Sequence, residues 1–232
     1  MRIPLFTRLH DTLFPHRCLI CGSRLGPYDS VVCSVCNMHL PRTCHSLTPE
    51  DNAMTRLFWG RLTPERAAAF IRHHPHSDCA MLIYAIKYGG NKSAARAVGR
   101  LAADELAAVG FFSGIDIIVP VPLARERERQ RGYNQSLLLA CAVSDRTGIA
   151  VGRDVLERTT FVRPQTGLHR QERYANVADA FRVTDAARVC GRHVLLVDDV
   201  VTSGATMTAC GEAVVASGAA CVSIMSIGMS DG

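Results

Sequence analysis

Two adjacent carboxylates, Asp198 and Asp199, close the apolar run "RHVLLVDD" and precede "TSGAT", a loop of hydroxyls around a glycine. Carboxylates are seldom buried without a partner, so the pair demands a structural counter-charge or a ligand. Thr202, Ser203 and Thr206 offer hydroxyl donors, the small residues Gly204 and Ala205 let a ligand approach the backbone, and the helix that follows aims its first amides at an anion. A phosphate suits this loop, but two acids beside it would repel it. A phosphorylated sugar satisfies both halves, with its phosphate in the loop and its vicinal hydroxyls donating to Asp198 and Asp199. The spacing matches neither the dinucleotide fingerprint nor the P-loop, which sets those two readings aside.

A second cluster stands near the N-terminus in "CLICGSRLGPYDSVVCSVC": Cys18, Cys21, Cys33 and Cys36. Each CxxC pair can wrap one side of a tetrahedral Zn²⁺, and the spacer is long enough for a hairpin. Gly22 supplies the open backbone conformation that such knuckles use. With four thiolates the coordination is complete, so the site is structural rather than catalytic. The remaining six of the ten cysteines are scattered and read as buried apolar residues of a cytoplasmic protein.

These groups need a scaffold. From residue 115 the pattern alternates strand and helix: "IDIIVPV", then the helix of "YNQSLLLACAVSDRTG", then "RHVLLVDD", then "GATMTACGEAVVASG", then "AACVSIMSIGM". Strands without polar alternation, separated by helices, predict an α/β fold with a parallel sheet covered on both faces. Ligands of such sheets bind outside the carboxyl ends of the strands, where Asp198 and Asp199 lie. Upstream, "ERAAAFIRHH" suits a strand or a helix, "CAMLIYAIKYGGNK" a helix ended by glycines, and residues 98–109 a helix with one apolar face. Residues 42–64 read as a connector in which "LFWG" is an apolar anchor. The expected division is a zinc-ribbon module over 1–45 and a sheet domain over 46–232.

The ten-residue "VDDVVTSGAT" resembles the phosphoribosyl-pyrophosphate (PRPP) motif of type I phosphoribosyltransferases. With it, the four-cysteine ribbon, the Ile86–Gly89 segment "IKYG", "VPVP" followed by "RGYNQ", and the run "PQTGLHRQERYAN" stand in the order found in the ComF family, and the chain is identified as a member on that resemblance. ComF proteins belong to natural competence and are thought to assist the handling of incoming single-stranded DNA with a helicase partner. The resemblance implies a type I phosphoribosyltransferase-like domain that binds PRPP and Mg²⁺ through Asp198, Asp199 and residues 202–206. It places pyrophosphate against the segment after the first strand, with Arg125, Arg131, Asn134 and Gln135 as candidates; a solvated charged turn is the alternative there. A mobile loop would carry Arg163, Gln165, Arg170, Arg173 and Asn176.

Departures bear on the chemistry. Thr202 stands where enzymes acting on hypoxanthine or guanine carry an acid, and no lysine follows Lys92, unlike the mobile loop of orotate enzymes. The acceptor is therefore left open, and so are an active phosphoribosyltransferase of nucleotide salvage and an inactive PRPP sensor. Glutamine amidophosphoribosyltransferases share the sheet motif but carry an N-terminal glutaminase domain that has no counterpart here.

The chain of 232 residues is 48% apolar and 20% charged, which fits a globular protein, and its formal charge of +5 fits an anionic partner without choosing one. No apolar run approaches the roughly 20 residues that span a bilayer, so no membrane association is expected. His73, His74 and His76 read as a surface loop, and Cys44 with His45 as superfluous to a completed zinc site. Lys87, in an apolar helix, either reaches a phosphate or snorkels. Aromatic platforms for a single strand are sparse, with Tyr133, Phe161 and Tyr174 as candidates, so direct DNA binding is expected to be weak and salt-sensitive.

Overall fold

A computed structural model describes residues 17–27, 29–88, 92–159 and 180–230. The proposed mobile-loop residues Arg163, Gln165, Arg170, Arg173 and Asn176, along with Phe161 and Tyr174, lie outside the described residues.

The central sheet has five parallel strands: β1 (Ala67–Arg72), β2 (Ile117–Pro120), β3 (Ala150–Val151), β6 (His193–Val201) and β7 (Cys221–Met229), ordered β1-β7-β6-β2-β3. The interior strands are rich in valine, isoleucine and leucine and buried on both faces, as a doubly covered parallel sheet requires. The ambiguous "ERAAAFIRHH" is a strand, because it completes the ladder beside β7, with Ala67 opposite Ile224. A short antiparallel ladder of β4 (Leu156–Arg158) and β5 (Phe181–Val183) lies apart from this sheet and has no simple signal in the sequence.

Helices α3 (Ala80–Lys87), α4 (Lys92–Ala108) and α6 (Gln135–Thr147) share one apolar core with one face of the sheet. Helix α7 (Ala205–Ala216) packs with Met54, Phe58 and Leu62 into the second core on the opposite face. Two further helices are short, α1 (Ser34–Met38) and α2 (Ala53–Arg56), and one is highly charged, α5 (Arg125–Arg131). Helices α4 and α6 approach closely because Gly99 has no side chain there: a Cβ would lie 2.9 Å from that of Ala142.

The chain runs from β2 through α6 to β3 on one side, and from β6 through α7 to β7 on the other. Strand order therefore reverses between β2 and β6, and a crevice opens beyond their carboxyl ends. Asp198 and Asp199 stand on the β6 side of it.

The N-terminal segment is no free appendage. Cys18, Val31, Val32 and Leu40 belong to the same core as Phe70 and Leu82. Arg42 pairs with Glu105 at 3.0 Å, bridges Ile71, and lies over the Phe70 ring.

Candidate functional site

Strand β6 continues past the acids through Val200 and Val201, whose branched side chains keep the backbone extended. Both carboxylates thus lie within the ladder, Asp198 opposite Ser226, rather than after it. Alternation along the strand puts Asp199 on the α3 side, and there its Oδ1 lies 3.7 Å from Lys87 Nζ. The Asp199 side chain is only 7% exposed, and Lys87 is the one cation paired with it among the described residues. Lys87 therefore reaches into the site as a counter-charge instead of snorkelling to water.

Asp198 accepts hydrogen bonds from Ser136 Oγ and from the Asp199 amide, both at 2.8 Å. Burial, reinforced by the neighbouring Asp199 charge, pushes the Asp198 carboxyl up to about 7. The pair is thus divided in role, with Asp199 matched by a lysine and Asp198 poised to lose a proton near neutrality. Besides His73 Nδ1, two buried oxygen acceptors have no hydrogen-bond partner among the described residues: Asp199 Oδ2 and Gln135 Oε1. Both belong to residues lining one cleft of about 250 Å³, together with Lys87, Ser136, Asp198, Thr202 and Thr206. Orphaned buried acceptors are costly, and donors on a ligand would satisfy them.

The loop after β6 forms a smaller hollow of about 60 Å³, lined by Asp198 and by residues 200–207. Gly204 caps α7 with φ +73°, and its carbonyl accepts from the Thr208 amide at 2.8 Å and the Thr208 hydroxyl at 3.0 Å. Phe58 lies beneath it and is almost fully buried, so the "LFWG" anchor does pack, although Trp59 remains exposed. A Cβ on Gly204 would meet Phe58 Cε1 at 3.0 Å in a left-handed conformation. Gly204→Ala is therefore expected to cost about 1–3 kcal/mol and lower Tm by several degrees. An unchanged melting curve would refute this account of the loop.

Across the cleft, α5 presents Arg127 and Arg131, and β4 adds Arg158. Helical spacing selects these two arginines: residues four apart share a face, while Arg125 and Arg129 line a hollow with Glu128 and Gly132. Of the residues expected to meet pyrophosphate, Arg131 and Gln135 reach the cleft and Arg125 does not. Asn134 instead caps α6, accepting from the Ser136 amide and donating to the Val121 carbonyl. Arg127 and Ser136 were legible only once α5 and the start of α6 were read as helix; Arg158 had no local signal. Among the histidines, His74 and His76 are exposed, while His73 is half-buried near Lys87 and Asp199, and burial holds its imidazole below the usual value.

The four N-terminal cysteines converge, with Sγ atoms all within 4.8 Å of one another. Tetrahedral Zn–S bonds of about 2.3 Å require sulfurs roughly 3.8 Å apart, and Cys21 and Cys33 stand at 3.7 Å. The amides of Ile20 and Cys33 donate to Cys18 Sγ at 3.4 and 3.3 Å, and that of Cys36 donates to Cys33 Sγ at 3.5 Å. Gly22 makes the turn at φ +71°. Hydrogen bonds from Ser23 bring the Cys21 thiol down to about 6, whereas burial and the three neighbouring thiols push Cys36 up. Four crowded sulfurs with amides aimed at them could hold a metal ion, whose charge would relieve that conflict.

Residues 133–227 match the phosphoribosyl transferase domain family. The chain is 31% identical over 211 residues to DNA utilization protein YhgH of Escherichia coli O157:H7, covering 89% of this chain and 87% of that protein. It is 36% identical over 93 residues to competence protein F of Haemophilus influenzae, covering 40% and 41% of the two chains. Among solved structures, the glutamine PRPP amidotransferase of Bacillus subtilis aligns at 19% identity and a TM-score of 0.45, over 62% of this chain and 30% of that one.

Proposed function

Since this chain belongs to the ComF family of competence and DNA utilization proteins, we propose that its cleft binds PRPP with Mg²⁺ and that the protein serves the handling of DNA taken up in competence. One observation carries the ligand reading: half-buried Asp198 and buried Asp199, with Asp199 Oδ2 and Gln135 Oε1 unpartnered among the described residues, share one cleft with Arg127, Arg131 and Arg158. A sugar that offers hydroxyls at one end and phosphates at the other fits that division of charge.

In this reading Asp198 and Asp199 accept the ribose hydroxyls. The amides and hydroxyls of residues 202–206 hold the 5′-phosphate at the start of α7. Arg127, Arg131 and Arg158 meet the pyrophosphate, where a planar fork suits two oxygens at once. Mg²⁺ would supply neutralisation of the pyrophosphate charge. Lys87 stands 3.7 Å from Asp199 as its counter-charge before the ligand arrives. The four-cysteine site takes Zn²⁺, which an all-thiolate tetrahedral donor set favours, and ten unbridged cysteines suit the reducing cytoplasm. The DNA role runs mainly through a helicase-type partner, with single-strand binding by the chain alone weak and salt-sensitive.

Calorimetry with PRPP and MgCl₂ across a pH series tests the ligand. Hydroxyl donors favour the ionised Asp198, so binding lowers its value from about 7 and expels a proton. Affinity should fall about tenfold per pH unit below 7 and level off above it. The heat should also vary with the ionisation enthalpy of the buffer. Absence of binding throughout the series would overturn the reading. A parallel assay of pyrophosphate release over a panel of bases separates a transferase from a PRPP sensor.

A further inference from the structure

Tyr133, between the cleft residues Arg131 and Gln135 in sequence, is buried, and its hydroxyl donates to the Ile86 carbonyl at 2.8 Å. It is a core residue with both its apolar body and its polar tip satisfied. The available aromatic surface lies elsewhere. Tyr84 and Tyr88, one helical turn apart at the end of α3, are 57% and 61% exposed, and their ring centroids are 5.1 Å apart. Met81 extends the same stripe, 48% exposed. The stripe is not isolated from the site. Arg131, which lines the cleft, places its guanidinium carbon 5.2 Å above the centre of the Tyr88 ring, and Lys87, paired with Asp199, immediately precedes Tyr88.

We infer that Tyr88, backed by Tyr84, is the seat for the nucleobase of a mononucleotide whose phosphoribosyl group occupies the cleft. This inference rests on the phosphoribose reading above. A flat heteroaromatic ring is the ligand class that an exposed tyrosine face at the edge of an anion-binding cleft recognises. An aliphatic partner would leave the π-faces unused, and an anion alone would be repelled by them. Arg131 sets the order of events. In the free protein its guanidinium covers Tyr88, held there by the ring's electron-rich face. When phosphates enter the cleft that Arg131 already lines, the stronger charge-assisted bonds draw its guanidinium off the ring, and the base takes its place there. Base and phosphate thus bind cooperatively, because each frees the group the other needs. The seat selects for planarity rather than for one hydrogen-bond pattern, in keeping with Thr202 at the position where purine enzymes carry an acid.

The test compares AMP, GMP, CMP and UMP with ribose 5-phosphate, all titrated into the full chain with MgCl₂ and inorganic pyrophosphate present. The monophosphates should bind at least about tenfold more tightly than ribose 5-phosphate. Tyr88→Ala should erase that difference without weakening ribose 5-phosphate, whose affinity should rise slightly as Arg131 is released from the ring, Tyr88→Phe should preserve it, and Tyr84→Ala should reduce it in part. Ribose 5-phosphate binding as tightly as the monophosphates would overturn the seat while leaving the phosphoribose reading intact. So would a Tyr88→Ala loss shared equally by all probes. Tyr88-dependent binding of monophosphates without any binding of ribose 5-phosphate would support the seat and sink the phosphoribose reading. If an oligodeoxythymidine strand bound in a Tyr88-dependent way and the monophosphates did not, the mononucleotide would be the wrong occupant.

Discussion

Asp198→Asn combined with Asp199→Asn is expected to weaken PRPP binding by about a hundredfold or more. Each carboxylate would accept charge-assisted hydrogen bonds worth about 1.5–3 kcal/mol, and an amide can replace neither the charge nor both acceptor oxygens. The fold should survive the change. A carboxyl raised from its ordinary value to about 7 works against the folded state whenever it is ionised. The unfolded chain releases that proton at lower pH, so this group lowers stability progressively as pH rises from about 4 to 7. Asp198→Asn alone should therefore melt no lower than the wild type at pH 8 and gain less at acid pH. Asp199→Asn carries the opposite tendency, because it leaves Lys87 without the carboxylate 3.7 Å away. Calorimetry and thermal melts of the two single variants and the double variant separate binding from folding. Unchanged PRPP affinity in the double variant would show that the cleft serves something other than a phosphorylated sugar.

Stripping metal from the N-terminal cysteines should unfold residues 17–40 and also lower the Tm of the remainder. Protein purified without chelator should contain one zinc per chain, since four sulfurs within 4.8 Å of one another offer a complete thiolate donor set. Binding of structural zinc amounts to about 10–16 kcal/mol in small modules and is mostly folding energy. The packing described above extends the effect beyond the module. Cys18, Val31, Val32 and Leu40 complete a core that contains Phe70, Ile71 and Leu82, so losing the ribbon exposes the face of β1. A chelated sample should show an earlier transition, and Cys33→Ser, which removes a ligand, should reproduce it without chelator. Elemental analysis that finds no zinc, with superimposable melts before and after chelation, would defeat this.

The sheet and the loop could be read from the sequence because their signals are local. Unbroken apolar strands, alternating helices and a glycine among hydroxyls each state their geometry within ten residues. Strand β6 overran the reading by two positions because Val200 and Val201 are strand formers that follow charges, and charges look like an ending. The partners of the carboxylates were harder to see. Ser136 was adjacent to named candidates, but its bond to Asp198 depends on how α6 meets β6. Lys87 stands more than a hundred positions from Asp199 in the chain. Arg158 arrives on a short ladder that no periodicity announces. The choice among tyrosines could not be made from composition at all: Tyr133 and Tyr88 are equally aromatic, and only packing decides which one faces inward.

The order of strands has a consequence for how the protein is made. Strand β7 lies between β1 and β6, with Ala67 paired to Ile224 and Asp198 opposite Ser226. On the ribosome, the ribbon and β1 emerge early and must wait with an open backbone edge until β7 has been synthesised. Pairings so distant in sequence also close slowly, because the intervening chain must be ordered first. The carboxylates gain their flanking strand at that same late moment. A nascent chain thus has no finished cleft around Asp198 and Asp199, and nothing that binds there can help the early steps of folding. Metal could act earlier, since all four cysteines precede β1 in the chain.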